Sequence, residues 1–357
     1  MSISPIYSTL QASLASRGRV GELTERLQTA ADELATGFKA NPFEEMGLRA
    51  AETLEIRNLR SRTENFVTTN EVLSGKLEMQ DEALAAVSEE IESFLSLSIR
   101  SDGSKSQVSS TLQQEARAVL DSVTRIMNTT YAGEYVFSGI DTDTRPIQTL
   151  GEVNPNSGLA PDAVVDTILG GGLASAPDAV AKIGQLDDIF ASATGTAQDY
   201  EATFFNGTPL LDGGGTPNPR LSTLIDDNET VQYGVQANDR AIRDALQGLM
   251  MFARVDTSTI ADDGAYEAWV GAANDRLASA LDGVTGMRID TGNDLAQVKD
   301  RIQLQQDRSD IYNERILSIE GVDPYDAATR VENLRGMVDA TYAATARISN
   351  LSFVNYL

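Results

Sequence analysis

Apolar residues recur at alternating steps of three and four near both ends of the chain. Val20, Leu23, Leu27, Ala30 and Leu34 form one such row, and Val331, Leu334, Val338, Thr341, Thr345 and Ile348 form another. This is the a/d spacing of helices that bury a narrow stripe. A helix of this kind gains most of its stability from the partner that covers the stripe. The pattern therefore dictates a mainly α fold, a long coiled-coil helical bundle built from both chain ends.

Breaks and further stripes fill out the frame. Gly37 and Pro42 end the first helix. The second helix is expected from about Glu44 to Ile99, with the stripe Phe66, Leu73, Leu77, Leu84, Val87, Ile91 and Phe94 interrupted by Asn70 and Gln80. The turn-rich SDGSKS at 101–106 separates it from a third, on Val108, Leu112, Ala116, Val119, Val123, Ile126 and Thr130. Towards the C-terminus, Ala241 to Arg254 and Ala265 to Leu281 are expected as shorter helices. Leu295, Val298, Ile302, Tyr312, Ile316 and Ile319 follow, interrupted by Gln305 and Ser309, before a break at Gly321, Asp323 and Pro324.

Seven of the ten prolines fall within 141–237, so this region reads as an insertion of β-rich or mixed character. ETVQYGV (229–235) and DAVVDTIL (162–169) are its expected strands. Three parts follow: a terminal coiled-coil domain of 1–38 and 325–357, a helical rod of 39–147 and 238–324 with a β-hairpin near 133–147, and a variable outer domain at 148–237.

Charge and composition narrow the function. The 53 acidic residues outnumber 28 basic ones, giving a net charge of −25. No nucleic-acid partner is expected, because phosphate binding needs cationic patches. No run of about 18 apolar residues exists, so no membrane insertion is expected. Cysteine and histidine are absent, which removes thiolate nucleophiles and the usual base near neutral pH. The GGG runs at 170–172 and 213–215 lack the Lys-Ser/Thr of a phosphate loop. Asp187–Asp188, Asp226–Asp227 and Asp262–Asp263 are sequence neighbours, not carboxylates facing across a cleft. DDNET (226–230) has hard oxygen ligands without calcium-loop spacing. Trp269 reads as packing. The sequons at Asn128, Asn206 and Asn228 are short enough to arise by chance. No catalytic residue, cofactor site or metal site is assigned, and no enzymatic activity is expected.

The first sixteen residues and the last ten carry no charged side chain. Bare amphipathic ends on an acidic chain call for cover, either from the protein's own body or between subunits; the second reading makes them an assembly interface. The expected interface residues are Val20, Leu23, Leu27 and Leu34 on the first helix, with Leu334, Val338, Ile348, Leu351, Phe353, Tyr356 and Leu357 on the last.

Three stretches give these features a family context. DELATGFKANPFEE (32–45) resembles the N-terminal junction of the bacterial flagellin family, with Glu44 and Glu45 where that family more often has two aspartates. MNTTYAGEYVFSGIDTDTRPI (127–147) resembles the hook–filament junction branch, through Gly133, Tyr135, Val136, Phe137, Ser138, Gly139 and Pro146. Leu351-Ser352-Phe353-Val354-Asn355-Tyr356-Leu357 is similar to the tail of that branch. The resemblance implies a structural part of the flagellum, an adaptor that connects hook to filament. It implies partners too: like subunits in a ring, a hook-side hook-associated protein, flagellin and an export chaperone. It also implies secretion by type III export to an extracellular flagellum without a cleaved signal peptide. The alternatives are a filament flagellin, or a flagellin-like protein with a glycan-binding insert.

Overall fold

In the computed structural model, residues 4–41, 49–101 and 109–354 are described. The expected start of the second helix at Glu44, the Pro42 break, Val108 and most of the SDGSKS turn lie outside them. By contacts the chain divides into two compact units, Met1–Asn65 with Leu304–Leu357, and Phe66–Gln303. Four long helices carry the frame: α1 (Ser4–Thr36), α2 (Arg49–Ser101), α8 (Asp263–Glu320) and α9 (Pro324–Val354).

The larger unit is built on α2 from Phe66, α3 (Ser109–Met127), α7 (Arg240–Arg254) and α8 up to Gln303. The α2 stripe is buried as its spacing requires: Leu73, Leu77, Leu84, Val87, Ile91 and Phe94 are all in the core. Phe94 meets Phe252 of α7 edge to face, with centroids 5.3 Å apart. Nearly every residue of α7 is buried, so it serves as the central helix of this unit. Trp269 is buried against it and donates from its indole to the Met251 carbonyl at 3.1 Å, as packing predicts. Ion pairs Arg288–Asp81 (2.9 Å) and Lys299–Glu78 (2.7 Å) join α8 to α2.

The expected helix end at Leu281 is not observed. α8 runs on unbroken through Gly283, Gly286 and Gly292 for 58 residues, about 87 Å at 1.5 Å per residue. The reason is packing. Leu277, Ala280, Val284, Thr291 and Val298 keep the buried row going at helical steps, and tertiary burial overrides the glycine propensities. Gly283 is also required by contact: a Cβ there would lie 2.6 Å from that of Ala241 at the start of α7.

Residues 148–237 share the core of this unit. They form α4 (Pro161–Leu169), α5 (Ala176–Phe190), the single turn α6 (Tyr200–Thr203), and the antiparallel strands β3 (Leu221–Asp226) and β4 (Glu229–Tyr233). The region is mixed, with ETVQY a strand as expected. DAVVDTIL is not a strand: it is α4. Pro161 and Asp162 favour a helix N-terminus, and Val164, Val165 and Leu169 bury one helical face. Phe190, Tyr200 and Phe204 cluster with centroids 5.1–5.6 Å apart. Asp187, Gln247, Arg276 and Asp244 fasten α5 to α7 and α8, with Arg276–Asp187 at 2.6 Å and Gln247 donating to Asp187 at 2.6 Å.

The hairpin expected near 133–147 starts earlier. β1 (Thr130–Tyr131) pairs with β2 (Glu134–Tyr135) across Ala132 and Gly133, both at positive φ, and IDTDT is a loop beyond it. Two left-handed residues make a tight turn whose twist suits a hairpin. Thr130 consequently lies in β1, past the end of α3. Val136 and Phe137 leave the strand and enter the core.

The polar interruptions of the α2 stripe have a use. Asn70 donates its buried amide to the Ile225 carbonyl of β3 at 2.9 Å, and Gln80 donates to the Val136 carbonyl at 2.7 Å. Each anchors non-helical backbone to the helix. Around Asn70, a small apolar cluster of Leu73, Leu77, Ile225, Val231 and Val298 seats the β3–β4 hairpin, and Arg301 pairs with both Asp226 and Glu229.

Two measurements test this reading. Asn70→Leu removes a donor from a buried carbonyl and should cost about 1–3 kcal/mol. Its effect should appear as faster amide exchange in Leu221–Tyr233, with α3 and α7 unchanged. Asp244 is the pH probe. Burial raises its carboxyl above the ordinary range, against the lowering pull of Arg276 and Arg240. A raised folded-state value means its stabilising share is full at low pH and is lost as pH rises through that value. Asp244→Asn should therefore gain in Tm on the wild type between about pH 3 and about pH 7. Movement the other way would mean that the arginines outweigh burial.

Candidate assembly interface

The smaller unit contains most of the expected interface residues. α1 and α9 lie antiparallel: Ser16 Oγ and Thr345 Oγ1 are 2.6 Å apart, while Glu33 pairs with Arg330 at 3.1 Å near the other end. The seam is only partly covered. Ala30 and Val338 are buried, Val20, Leu23, Leu27 and Leu334 are half-buried, and Leu34 is 40% exposed. Two narrow helices cannot dry each other's stripes, since each presents a cylinder with one flank still in water. Leu23 lines an open groove of about 510 Å³ with Ser16, Arg19, Ala340, Thr341 and Ala344. Ile348, Leu351 and Phe353 fall in α9 where the backbone alone is described, and Tyr356 and Leu357 lie outside the described residues.

Sequence spacing missed part of the apolar surface. Leu14, Met337 and Tyr342 are exposed, and Tyr325 is 86% exposed. On the paired segments of α2 and α8, Leu54, Leu59, Ile311 and Leu317 are exposed as well, while Gln305, Ser309, Ile316 and Ile319 are buried on the opposite row. Most of these outer residues stand off the a/d rows. Their signal was a second apolar row in a unit with little charge excess: it holds 17 acidic and 13 basic residues, against 36 and 15 in the larger unit.

The two helix breaks are joined to each other. α1 stops at Gly37, whose φ of 75° is a left-handed cap. α8 stops at Gly321. Lys39 N donates to the Glu320 carbonyl at 2.9 Å and Val322 N to the Gly37 carbonyl at 3.0 Å, a short antiparallel bridge. Two buried carboxylates flank it. Glu33 accepts from Ala40 N at 3.2 Å in addition to pairing with Arg330, and Glu320 pairs with Arg57. Arg60 donates to Asn313 at 2.6 Å, and Arg315 pairs with Glu52 at 2.7 Å. Both pairs tie α2 to α8.

Other sequence candidates have structural roles. Asn128 follows the end of α3 and bonds Ile147 in both directions, at 3.0 and 2.9 Å. Asn206 contacts Asn154 and Gln148. Among the described residues, no group of three or more potential metal ligands converges, and no helix is long and apolar enough to cross a membrane.

A model of the bacterial flagellin N-terminal helical region matches residues 7–142, and one of the C-terminal helical region matches residues 267–357. Together they cover more than half of the chain. This protein is a member of the bacterial flagellin family. The family's members are structural parts of the extracellular flagellum that self-assemble into polymers. Among solved structures, the flagellin-family chain is similar to one assigned as a flagellar hook-associated protein of Vibrio parahaemolyticus. The TM-score is 0.51 at 12% identity, over 77% of this chain and 98% of that one. At this identity the likeness is one of fold. No curated protein matches significantly.

The paired breaks give a test with two glycines. A Cβ at Gly37 meets open space, so Gly37→Ala should cost only the left-handed strain, about 1–2 kcal/mol. A Cβ at Gly321 would lie 2.3 Å from the Leu317 carbonyl oxygen. Gly321→Ala should therefore lose more, read by amide exchange across Thr36–Lys39 and Glu320–Val322. Equal losses would show that the bridge yields freely.

Proposed function

We propose that this flagellin-family protein is the hook–filament junction protein, hook-associated protein 3. It would form a ring of like subunits between a hook-side hook-associated protein and the flagellin filament. The role is mechanical, with no catalysis, and the protein reaches its site by type III export with a chaperone. The observation that carries this reading is the pair of sequence stretches GEYVFSG (133–139) and LSFVNYL (351–357). The half-covered α1–α9 seam supports assembly through the terminal helices, with Val20, Leu23, Leu27, Leu34, Leu334 and Val338 at subunit contacts. The proposed contacts continue through Ile348, Leu351, Phe353, Tyr356 and Leu357. The low charge excess of this unit supports the same reading, because unpaired charge is costly to bury. The relative named as a hook-associated protein is consistent with it.

The same family membership accommodates a second reading, filament flagellin. The readings separate in a strain lacking the gene. A junction protein predicts hooks without filaments and flagellin released into the medium. Wild-type filaments in that strain, or long filaments formed by the purified protein alone, would overturn the junction role.

A further inference from the structure

In the larger unit, β4, the start of α7 and the middle of α8 line a groove of about 550 Å³. Part of its lining is apolar: Tyr233, Val235, Ala241 and Met287. Two arginines reach it and both are engaged. Arg220 forks onto Asp239, with one arm at 3.1 Å, and Arg240 approaches Asp244 at 3.5 Å.

Two further lining carboxylates, Asp290 and Asp294, sit one helical turn apart on α8. Neither has an ion pair or hydrogen bond among the described residues. Like charges at this spacing repel. Burial, and then the charge of Asp290, hold the Asp294 carboxyl above its ordinary range. Between the two stands Thr291, only 2% exposed. It also lines the groove, and its hydroxyl has no hydrogen-bond partner among the described residues. The oxygen is not fully buried, so it is open to a partner from the groove.

These features call for one kind of group. An alkylammonium brings three N–H donors and a positive charge for the carboxylates and the threonine oxygen, and its carbon chain suits the apolar lining. We propose that this groove binds a primary alkylammonium, supplied by a free aliphatic diamine or by a lysine side chain.

The test uses the full-length protein with labelled methionine methyl groups. Putrescine, Nα-acetyl-lysine methylamide and its Nε-acetylated neutral form are titrated separately. The Met287 methyl signal should shift saturably with a charged amine and not with the neutral one, and the amine that saturates first identifies the source. Asp290→Asn with Asp294→Asn should weaken binding about tenfold or more, and Thr291→Val should also weaken it. Asp275→Asn with Asp282→Asn, which alters exposed carboxylates elsewhere on α8, should leave binding unchanged. No Met287 shift with either charged amine would overturn the proposal. So would equal weakening by the two double variants, which would reduce the effect to general acidity. Circular dichroism confirms that each variant is folded.

Discussion

A narrow apolar stripe on a long helix is the constraint on which this structure rests. Such a stripe buries well only when partners flank it on more than one side. In the larger unit α2 has those partners, and its row from Leu73 to Phe94 is dry. In the smaller unit α1 and α9 have one another, and most of their row stays half-wet. The same sequence pattern thus yields a finished core in one place and an unfinished surface in the other. Composition agrees with the division, since most of the acidic excess lies with the finished core.

Polar residues within the stripes mark where the frame receives something other than a helix. Asn70 and Gln80 would weaken a pure coiled coil. Here each donates to a backbone carbonyl, one in β3 and one just past β2. A buried carbonyl that no helix or ladder partner satisfies needs a donor, and a side-chain amide at an a/d position faces the right way to supply one. The interruptions and the hairpins they hold are parts of one arrangement.

The frame was legible because its signals are local and periodic. Gly37, Gly321 and Pro324 gave the breaks, and the 3–4 rows gave the helices. Two local readings failed for the same reason. The glycines after Leu281 look like a helix end, and DAVVDTIL looks like a strand, when neighbours are ignored. Burial of Val284 and Thr291 in the first case, and of Val164, Val165 and Leu169 in the second, decided the outcome. The exposed apolar residues Tyr325, Met337 and Tyr342 were missed because they stand off the row that defines the helix pair. The groove around Asp290 and Asp294 was invisible for another reason: it forms only where the stretch from Gln232 to Ala241 folds against the middle of α8.

The bridge between Gly37 and Gly321, with the Ser16–Thr345 contact 329 residues apart in the chain, has a kinetic consequence. Closing so large a loop is slow, and its entropic cost comes before any contact rewards it. A chain delivered amino end first therefore cannot complete its smaller unit until its final helix arrives. Up to that moment α1 has no antiparallel partner from its own chain, and its apolar stripe stays unsheltered.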